Sequence, residues 1–154
     1  LNKIEYTDEI NSLIKVLRKN TRKMFFNKKD RLFFMSNIDR RYSVLGNSLA
    51  ILSKVAIKKD FKNIENNIKN NKDLVQTTLS MKRFYYDALL MIDKNNKDYI
   101  LNDIEKTYSF MLNDGATTFY ETIKGDKDFN NAGSLCHGWS AIPILYYKKF
   151  GMLK

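Results

Sequence analysis

The sequence is poor in the residues that most often mark a disulfide framework or a metal site. It contains one cysteine, one histidine, one tryptophan, one proline and six glycines among 154 residues. A single cysteine excludes an intrachain disulfide, and one histidine with one cysteine falls short of a zinc site, which normally has three or four protein ligands. No apolar run approaches the roughly 20 residues that span a bilayer. We therefore expect no metal, no cofactor and no membrane partner.

The composition is that of a folded, basic protein. Hydrophobic residues make up 44% and aromatic residues 13% of a chain whose length fits a single domain over residues 1–154. The net charge of +10 raises the possibility of nucleic-acid binding. The basic residues, however, are spread along several helical stretches beside abundant asparagine, which favours solvated faces over a nucleic-acid interface. The lone cysteine and the absence of a signal-peptide pattern favour the cytoplasm, and a start at Leu1 instead of Met leads us to expect residues upstream.

Apolar residues recur at helical spacing and predict six helices joined by short turns. The predicted starts are Thr7, Ser43, Asp60, Thr77 or Thr78, Asp98 and Ser134. Residues 31–36 are predicted to be extended, and Pro143, inside the last helix, predicts a kink there. More polar helices alternate with more apolar ones, which predicts an all-α fold of three helical hairpins side by side.

The rare residues gather in one segment, residues 113–147, where we place the candidate chemistry. Glu121 follows GATTFY at 115–120, which we predict to be extended because Thr and aromatic residues favour that conformation and Gly115 permits a turn. A carboxylate beside hydroxyls and aromatic rings suits a general base or an acceptor for sugar hydroxyls. An exposed loop glutamate is the alternative.

His137 and Trp139 lie in the second half of this segment, GSLCHGW. At the start of the predicted last helix, His137, Gly138 and the unpaired N–H groups of Gly133 and Ser134 are candidates to bind hydroxyls or an anion. Trp139 is a candidate to stack on a sugar face, with a buried core tryptophan as the alternative. Cys136 and His137 form no dyad, because consecutive helical residues point about 100° apart.

Arg41 precedes the predicted second helix, between Arg40 and Tyr42. If alternate helices line a cavity, the start of the second helix and residues 115–121 lie at the same end of that cavity. There they would form a polar, aromatic rim. A solvated loop charge is the alternative for Arg41.

The two motifs together resemble the C-terminal part of bacterial alpha-L-rhamnosidase-like six-hairpin glycosidases. That family shows a GATT-(apolar)-W-E motif and then an SL-x-H motif, matched here by GATTF at 115–119 with Glu121, and by Ser134, Leu135 and His137. The resemblance implies an (α/α)6 toroid of twelve helices, of which this chain would form roughly half, with outer and inner helices alternating. It also implies inverting hydrolysis of a saccharide substrate.

The resemblance carries roles onto individual residues. It implies that Glu121 is the general base that activates water and that His137 contacts the sugar. Tyr120 stands where the family usually has tryptophan, so the sugar platform is expected to differ, with Tyr120 and Trp139 as its candidates.

The resemblance also implies something that this chain lacks. An inverting glycosidase needs a general acid about 6.5–9.5 Å from its base, and the family takes this acid from earlier hairpins. Nothing around Asp114, Asp126 or Asp128 marks one of them as the acid. We therefore expect the fragment alone to be inactive, with an N-terminal half or a second copy covering its exposed helices.

Two other functions remain open from the sequence. The chain would also suit a non-catalytic helical module for binding or assembly that keeps the motifs for structural reasons. A basic nucleic-acid-binding domain is the third interpretation. Neither the sugar nor the linkage follows from a six-hairpin fold.

Overall fold

The structure is a computed structural model, and it describes residues 7–153. It divides into two compact units, with the boundary between Val75 and Gln76. Each unit has its own buried apolar residues, such as Ile51 and Ile64 in the first and Leu89 and Ile104 in the second. The single domain over the whole chain stays a prediction.

Helices account for most of the regular structure in residues 7–153, which confirms the predicted all-α class. The first unit contains α1 (Asp8–Phe25), β1 (Phe26–Asn27), β2 (Leu32–Phe33), α2 (Val44–Leu52) and α3 (Lys58–Asn70). The second unit contains α4 (Lys82–Ile92), α5 (Lys97–Asn113) and α6 (Ile142–Lys149), with short 3-10 turns at Leu79–Met81, Lys94–Asn96, Gly125–Lys127 and Gly138–Ser140. None of the helices in this range is long and apolar enough to cross a bilayer.

Side-chain caps begin the first two helices where the sequence predicts them. The Thr7 hydroxyl accepts a hydrogen bond from the Ile10 N–H over 3.5 Å, and the Ser43 hydroxyl accepts one from the Gly46 N–H over 3.0 Å. Each cap satisfies an N–H group that has no partner inside the helix. The third helix begins at Lys58, slightly earlier than predicted.

A buried asparagine ties the short ribbon of the first unit to α2. The Asn47 amide donates to the carbonyls of Phe33, over 3.1 Å, and Ser43, over 3.0 Å. Its oxygen accepts from the Phe33 N–H over 2.9 Å. The β2 strand also pairs with β1, with the Phe26 and Phe33 rings 4.9 Å apart. Of the residues 31–36 predicted to be extended, Leu32 and Phe33 form this strand and Phe34 forms an isolated bridge to Tyr42, whereas Arg31 has φ +54°.

Polar contacts hold α4 to both other helices of the second unit. The Asp103 carboxylate on α5 accepts from the Lys82 ammonium and the Tyr86 hydroxyl on α4, each over 2.6 Å. The buried Tyr146 of α6 donates to the Asp87 carboxylate on α4 over 2.9 Å. The contact of Tyr146 fixes α6, the helix that follows the two motifs in the chain.

The last helix differs from its prediction. It begins at Ile142 and not at Ser134, so Pro143 lies in its first turn and causes no kink. Proline is well suited to that position, where its missing N–H would have had no partner and its φ is already helical. Helix propensity from Ser134 onward is overridden, because the N–H groups of Ser134 and His137 bond to residues 121 and 119 instead.

Candidate active site

The two motif segments lie side by side, although the loop 122–133 separates them in the chain. The His137 N–H donates to the Phe119 carbonyl over 2.7 Å, and the Glu121 N–H donates to the Ser134 carbonyl over 2.9 Å. These backbone bonds run between the segments like the rungs of a short antiparallel pair. They bring the predicted base and the predicted sugar-contacting histidine onto adjoining stretches of backbone.

The first of these segments is a loop, and the structure assigns no strand to residues 115–121. Gly115 follows α5 with φ +74°, a conformation that glycine adopts at little cost. The Thr118 hydroxyl donates to the Leu135 carbonyl and adds a third link between the segments. The chain therefore crosses to the second motif through irregular but hydrogen-bonded backbone.

The Glu121 side chain is half-buried, and one of its oxygens is held in place. Its Oε2 accepts a hydrogen bond from the Ser134 N–H over 3.3 Å. In the part of the chain that the structure describes, it forms no ion pair with Lys, Arg or His. This arrangement limits the rotamers of the carboxylate and leaves the second oxygen for a water or a hydroxyl.

The anion site expected at the N–H groups of Gly133 and Ser134 is not formed. No helix begins there, and both groups already have partners, since Gly133 donates to the Asp128 carbonyl over 3.1 Å and Ser134 donates to Glu121. That expectation is therefore wrong. The same N–H of Ser134 serves instead to orient the candidate base.

The loop between the motifs closes tightly through two glycines. A Cβ on Gly133 would lie 2.0 Å from the carbonyl oxygen of Gly125, a distance that no side chain tolerates. Gly125 itself has φ +58°, and residues 129–131 also have positive φ. Sequence reasoning did not identify the close approach of these glycines, although a glycine directly before SL-x-H was an available signal.

His137 and Trp139 lie together at the surface of the second unit. Their ring centroids are 6.5 Å apart with planes at 66°, and Trp139 is 72% exposed, which excludes the alternative of a buried core tryptophan. Trp139 lines a groove of about 400 Å³ together with Arg83 and Phe84 of α4. Sequence reasoning did not single out these two α4 residues, because only the fold brings α4 beside Trp139.

Tyr120 is buried in the loop. Its hydroxyl donates to the Asp114 carboxylate over 3.0 Å, and its ring contacts that of Phe110 edge-on at 6.1 Å. Burial and the hydrogen bond to the negatively charged Asp114 raise the pKa of Tyr120. Its predicted contact with a saccharide stays a prediction, and in this conformation its role is to hold the loop to the end of α5.

Arg41 lies in the first unit. Its guanidinium pairs with the Asp39 carboxylate, with the shortest N–O distance 2.7 Å, and its side chain is 70% exposed. This hydrogen bond lowers the pKa of Asp39 to about 2. The predicted role of Arg41 at a saccharide site stays a prediction.

A second, apolar cavity lies beside the first motif. Its volume is about 330 Å³, and its walls include Tyr108 and Met111 of α5 with Ala116 and Phe119 of the loop. Glu121 and His137 line neither this cavity nor the groove at Trp139. Across residues 7–153, no three His, Cys, Asp or Glu side chains are grouped as a metal ion would require.

Comparison with known structures finds the same fold in two rhamnosidases. The chain superimposes on a GH78 family rhamnosidase of Bacillus sp. GL1 with a TM-score of 0.80 and 24% identity, over 93% of this chain and 16% of that one. It superimposes on a rhamnosidase from Klebsiella oxytoca, solved with rhamnose bound, with a TM-score of 0.79 and 20% identity, over 96% of this chain and 30% of that one. No protein-family model matches the sequence, and neither does any curated protein sequence.

These comparisons show a shared fold. The resemblance read from the motifs is confirmed at that level, since the chain has the fold of part of a rhamnosidase. It spans less than a third of the length of either structure.

Proposed function

We propose that this chain is the C-terminal part of the catalytic domain of an inverting glycoside hydrolase that acts on alpha-L-rhamnosides. The observation that carries the proposal is the backbone pairing of the two motifs, Phe119 with His137 and Glu121 with Ser134. In a fold shared with parts of two rhamnosidases, this pairing gives a candidate base and a candidate sugar-binding histidine a common support.

The proposed architecture is roughly half of an (α/α)6 toroid. It is supported by the alternation of polar and apolar helices and by the small share of each rhamnosidase that the chain spans. The α1 helix buries none of its residues and exposes Leu13, Val16, Leu17 and Met24 along its length. An apolar face of this kind needs a cover, which we assign to further helices of the same protein or to a second copy.

Glu121 takes the role of general base in this proposal. Its Oε2 is held by the Ser134 N–H, so Oε1 is the oxygen that accepts a proton from the attacking water. The water then adds to the anomeric carbon on the face opposite the leaving group, and the configuration there is inverted. The general acid that protonates the leaving oxygen belongs to helices outside this chain.

His137 and Trp139 take the role of substrate contacts. An imidazole can donate or accept a hydrogen bond to a ring hydroxyl, and an exposed indole face suits the C–H groups of a sugar. Arg83 and Phe84, which line the same groove as Trp139, extend this surface. Tyr120 and Arg41 stay as weaker candidates, the first because it is buried and the second because it pairs with Asp39.

The experiment that tests this function is hydrolysis of 4-nitrophenyl alpha-L-rhamnopyranoside by the full-length protein, followed by proton NMR. We expect release of nitrophenol with beta-L-rhamnose as the first anomer, before mutarotation. The alpha anomer as first product would contradict the inverting mechanism. No hydrolysis of this or related glycosides, in a protein that binds rhamnose, would favour the alternative of a non-catalytic binding module.

A further inference from the structure

The excess positive charge of this protein lies almost entirely in one of its two units. Residues 1–75 contain 17 Lys and Arg against 8 Asp and Glu, whereas residues 76–154 contain 10 against 9. Almost all of the net positive charge therefore belongs to the unit that does not contain Glu121 or His137. This asymmetry has no role in the proposed hydrolysis.

Part of this charge surrounds residues 53–60, which form the loop after α2 and the first three residues of α3. We refer to this stretch as the 53–60 loop. Three arginines from outside the loop bond to its backbone: Arg18 donates to the Ser53 carbonyl over 2.8 Å, Arg22 donates to the Val55 carbonyl over 3.3 Å, and Arg31 donates to the Lys59 carbonyl. The loop itself adds three lysines. We call this set the basic loop surface; it consists of Arg18, Arg22, Arg31, Lys54, Lys58 and Lys59.

Residues 53–60 contain a single carboxylate, that of Asp60, and it is turned inward. Asp60 is 1% exposed, and it pairs with Arg22 over 2.8 Å and with Arg31 over 3.4 Å. Lys54, Lys58 and Lys59 are exposed, and they form no ion pair with any residue in the described range. Since one buried carboxylate cannot balance six cations, the outer surface carries a net positive field.

One lysine of the 53–60 loop has a backbone conformation that lowers the stability of the folded protein. Lys54 has φ +62° directly after the end of α2, a conformation in which glycine is favoured and other residues cost about 1 kcal/mol. The sequence therefore places a cation where glycine would give a more stable turn. The arginines bonded to the same loop are ordered by those bonds.

We propose that the basic loop surface binds an acidic polysaccharide through the carboxylates of its uronic acid units. The choice of a saccharide rests on the proposed function, since a glycosidase gains from holding a polymeric substrate outside its reaction centre. The arginines already donate to the loop carbonyls and to Asp60, so they contribute positive charge, and the exposed ammonium groups of the lysines make the direct contacts with carboxylates. The exposed lysines extend the contact along the chain of the polymer.

Nucleic acid fits the same surface less well. Sites for single strands combine cations with exposed aromatic rings on which bases stack. Here the Arg22 guanidinium lies over the Phe26 ring at 3.8 Å, and Phe33 is buried. The surface therefore offers charge without a stacking platform.

The test measures binding of fluorescently labelled oligogalacturonate to the full-length protein by anisotropy, at about 50 and about 200 mM salt. The variant replaces Lys54, Lys58 and Lys59 with Gln. The matched control replaces Lys94, Lys106 and Lys127, three exposed lysines of the second unit, with Gln. We expect the Kd to rise about tenfold in the first variant and less than about twofold in the control, with weaker binding at higher salt.

Three results would overturn the proposal: no binding of oligogalacturonate, equal losses in the two variants, or tighter binding of a single-stranded oligonucleotide than of oligogalacturonate. Circular dichroism melting shows whether both variants remain folded, as we expect for exposed lysines. Hydrolysis of the small neutral rhamnoside by the first variant should be unchanged. If oligogalacturonate binds as expected but no rhamnoside is hydrolysed, the proposed function fails and the anion surface stands.

Discussion

The backbone N–H of His137 donates to the carbonyl of Phe119 over 2.7 Å, which places the second motif directly against the first. The bond lies two residues from Glu121, whose carboxylate is in turn held by the Ser134 N–H. The positions of Glu121 and His137 are therefore set by backbone hydrogen bonds that close the loop between the two motifs. Changes to that loop should alter the site without touching its side chains.

The first prediction concerns the close approach of the two loop glycines. In Gly133→Ala the new Cβ would lie 2.0 Å from the Gly125 carbonyl oxygen, so the loop must open. We expect the free energy of unfolding to fall by about 1–3 kcal/mol, measured by urea denaturation. Gly138→Ala is the matched control, because nothing lies within 4 Å of its Cβ position, and it should change stability by less than about 0.5 kcal/mol. If the free energy of unfolding of Gly133→Ala were as little changed as that of Gly138→Ala, the close approach of the two glycines would not contribute to stability.

The second prediction concerns the buried amide of the first unit. Asn47→Leu removes the partner of both the Phe33 N–H and the Phe33 carbonyl and leaves them buried. We expect a loss of about 2–4 kcal/mol in the free energy of unfolding. The control is Asn66→Leu at an exposed position of α3, with an expected change within about 0.5 kcal/mol. A variant of Asn47 as stable as wild type would mean that these backbone groups find other partners.

The third prediction concerns stability at alkaline pH. Burial, followed by the nearby Asp103 charge, raises the pKa of Tyr86 and of Tyr108, and burial followed by Asp87 raises that of Tyr146. The folded state therefore favours the neutral hydroxyls. Their contribution to stability is complete below the ordinary tyrosine pKa of 10.0 and decreases as the pH rises above it.

Absorbance at 295 nm, recorded with far-ultraviolet circular dichroism, checks this expectation. The buried tyrosines should ionise only together with the loss of the helical signal. Ionisation of all nine tyrosines near pH 10 in a chain that keeps its helices would contradict the burial of these hydroxyls.

The sequence is most informative where structure is local. Thr7 and Ser43 mark helix starts because a capping hydroxyl acts on N–H groups only a few residues away. The all-α class follows in the same way from apolar periodicity. The candidate residues Glu121 and His137 were found from short motifs, which are also local.

The predictions that were wrong concern residues whose long-range contacts compete with their local helix preference. Ser134 has the features of a helix start, but its N–H bonds to Glu121, and the helix begins after Ala141. Pro143 alone is equally compatible with a kink and with a first turn, and only the observed start decides between them. Of the three non-glycine residues with positive φ in the loop 122–133, Asn130 and Asn131 are of a type that adopts this conformation readily, but the positive φ of Phe129 depends on how the loop closes.

The turnover of Glu121→Gln in the full-length protein tests whether Glu121 is the catalytic base. Glu105→Gln, an exposed glutamate of α5, is the matched control. We predict that kcat for 4-nitrophenyl alpha-L-rhamnopyranoside falls by about 10²–10⁴-fold in the first variant, with unchanged thermal stability, and that it stays near wild type in the control. A Glu121→Gln enzyme that turns over at the wild-type rate would contradict the account.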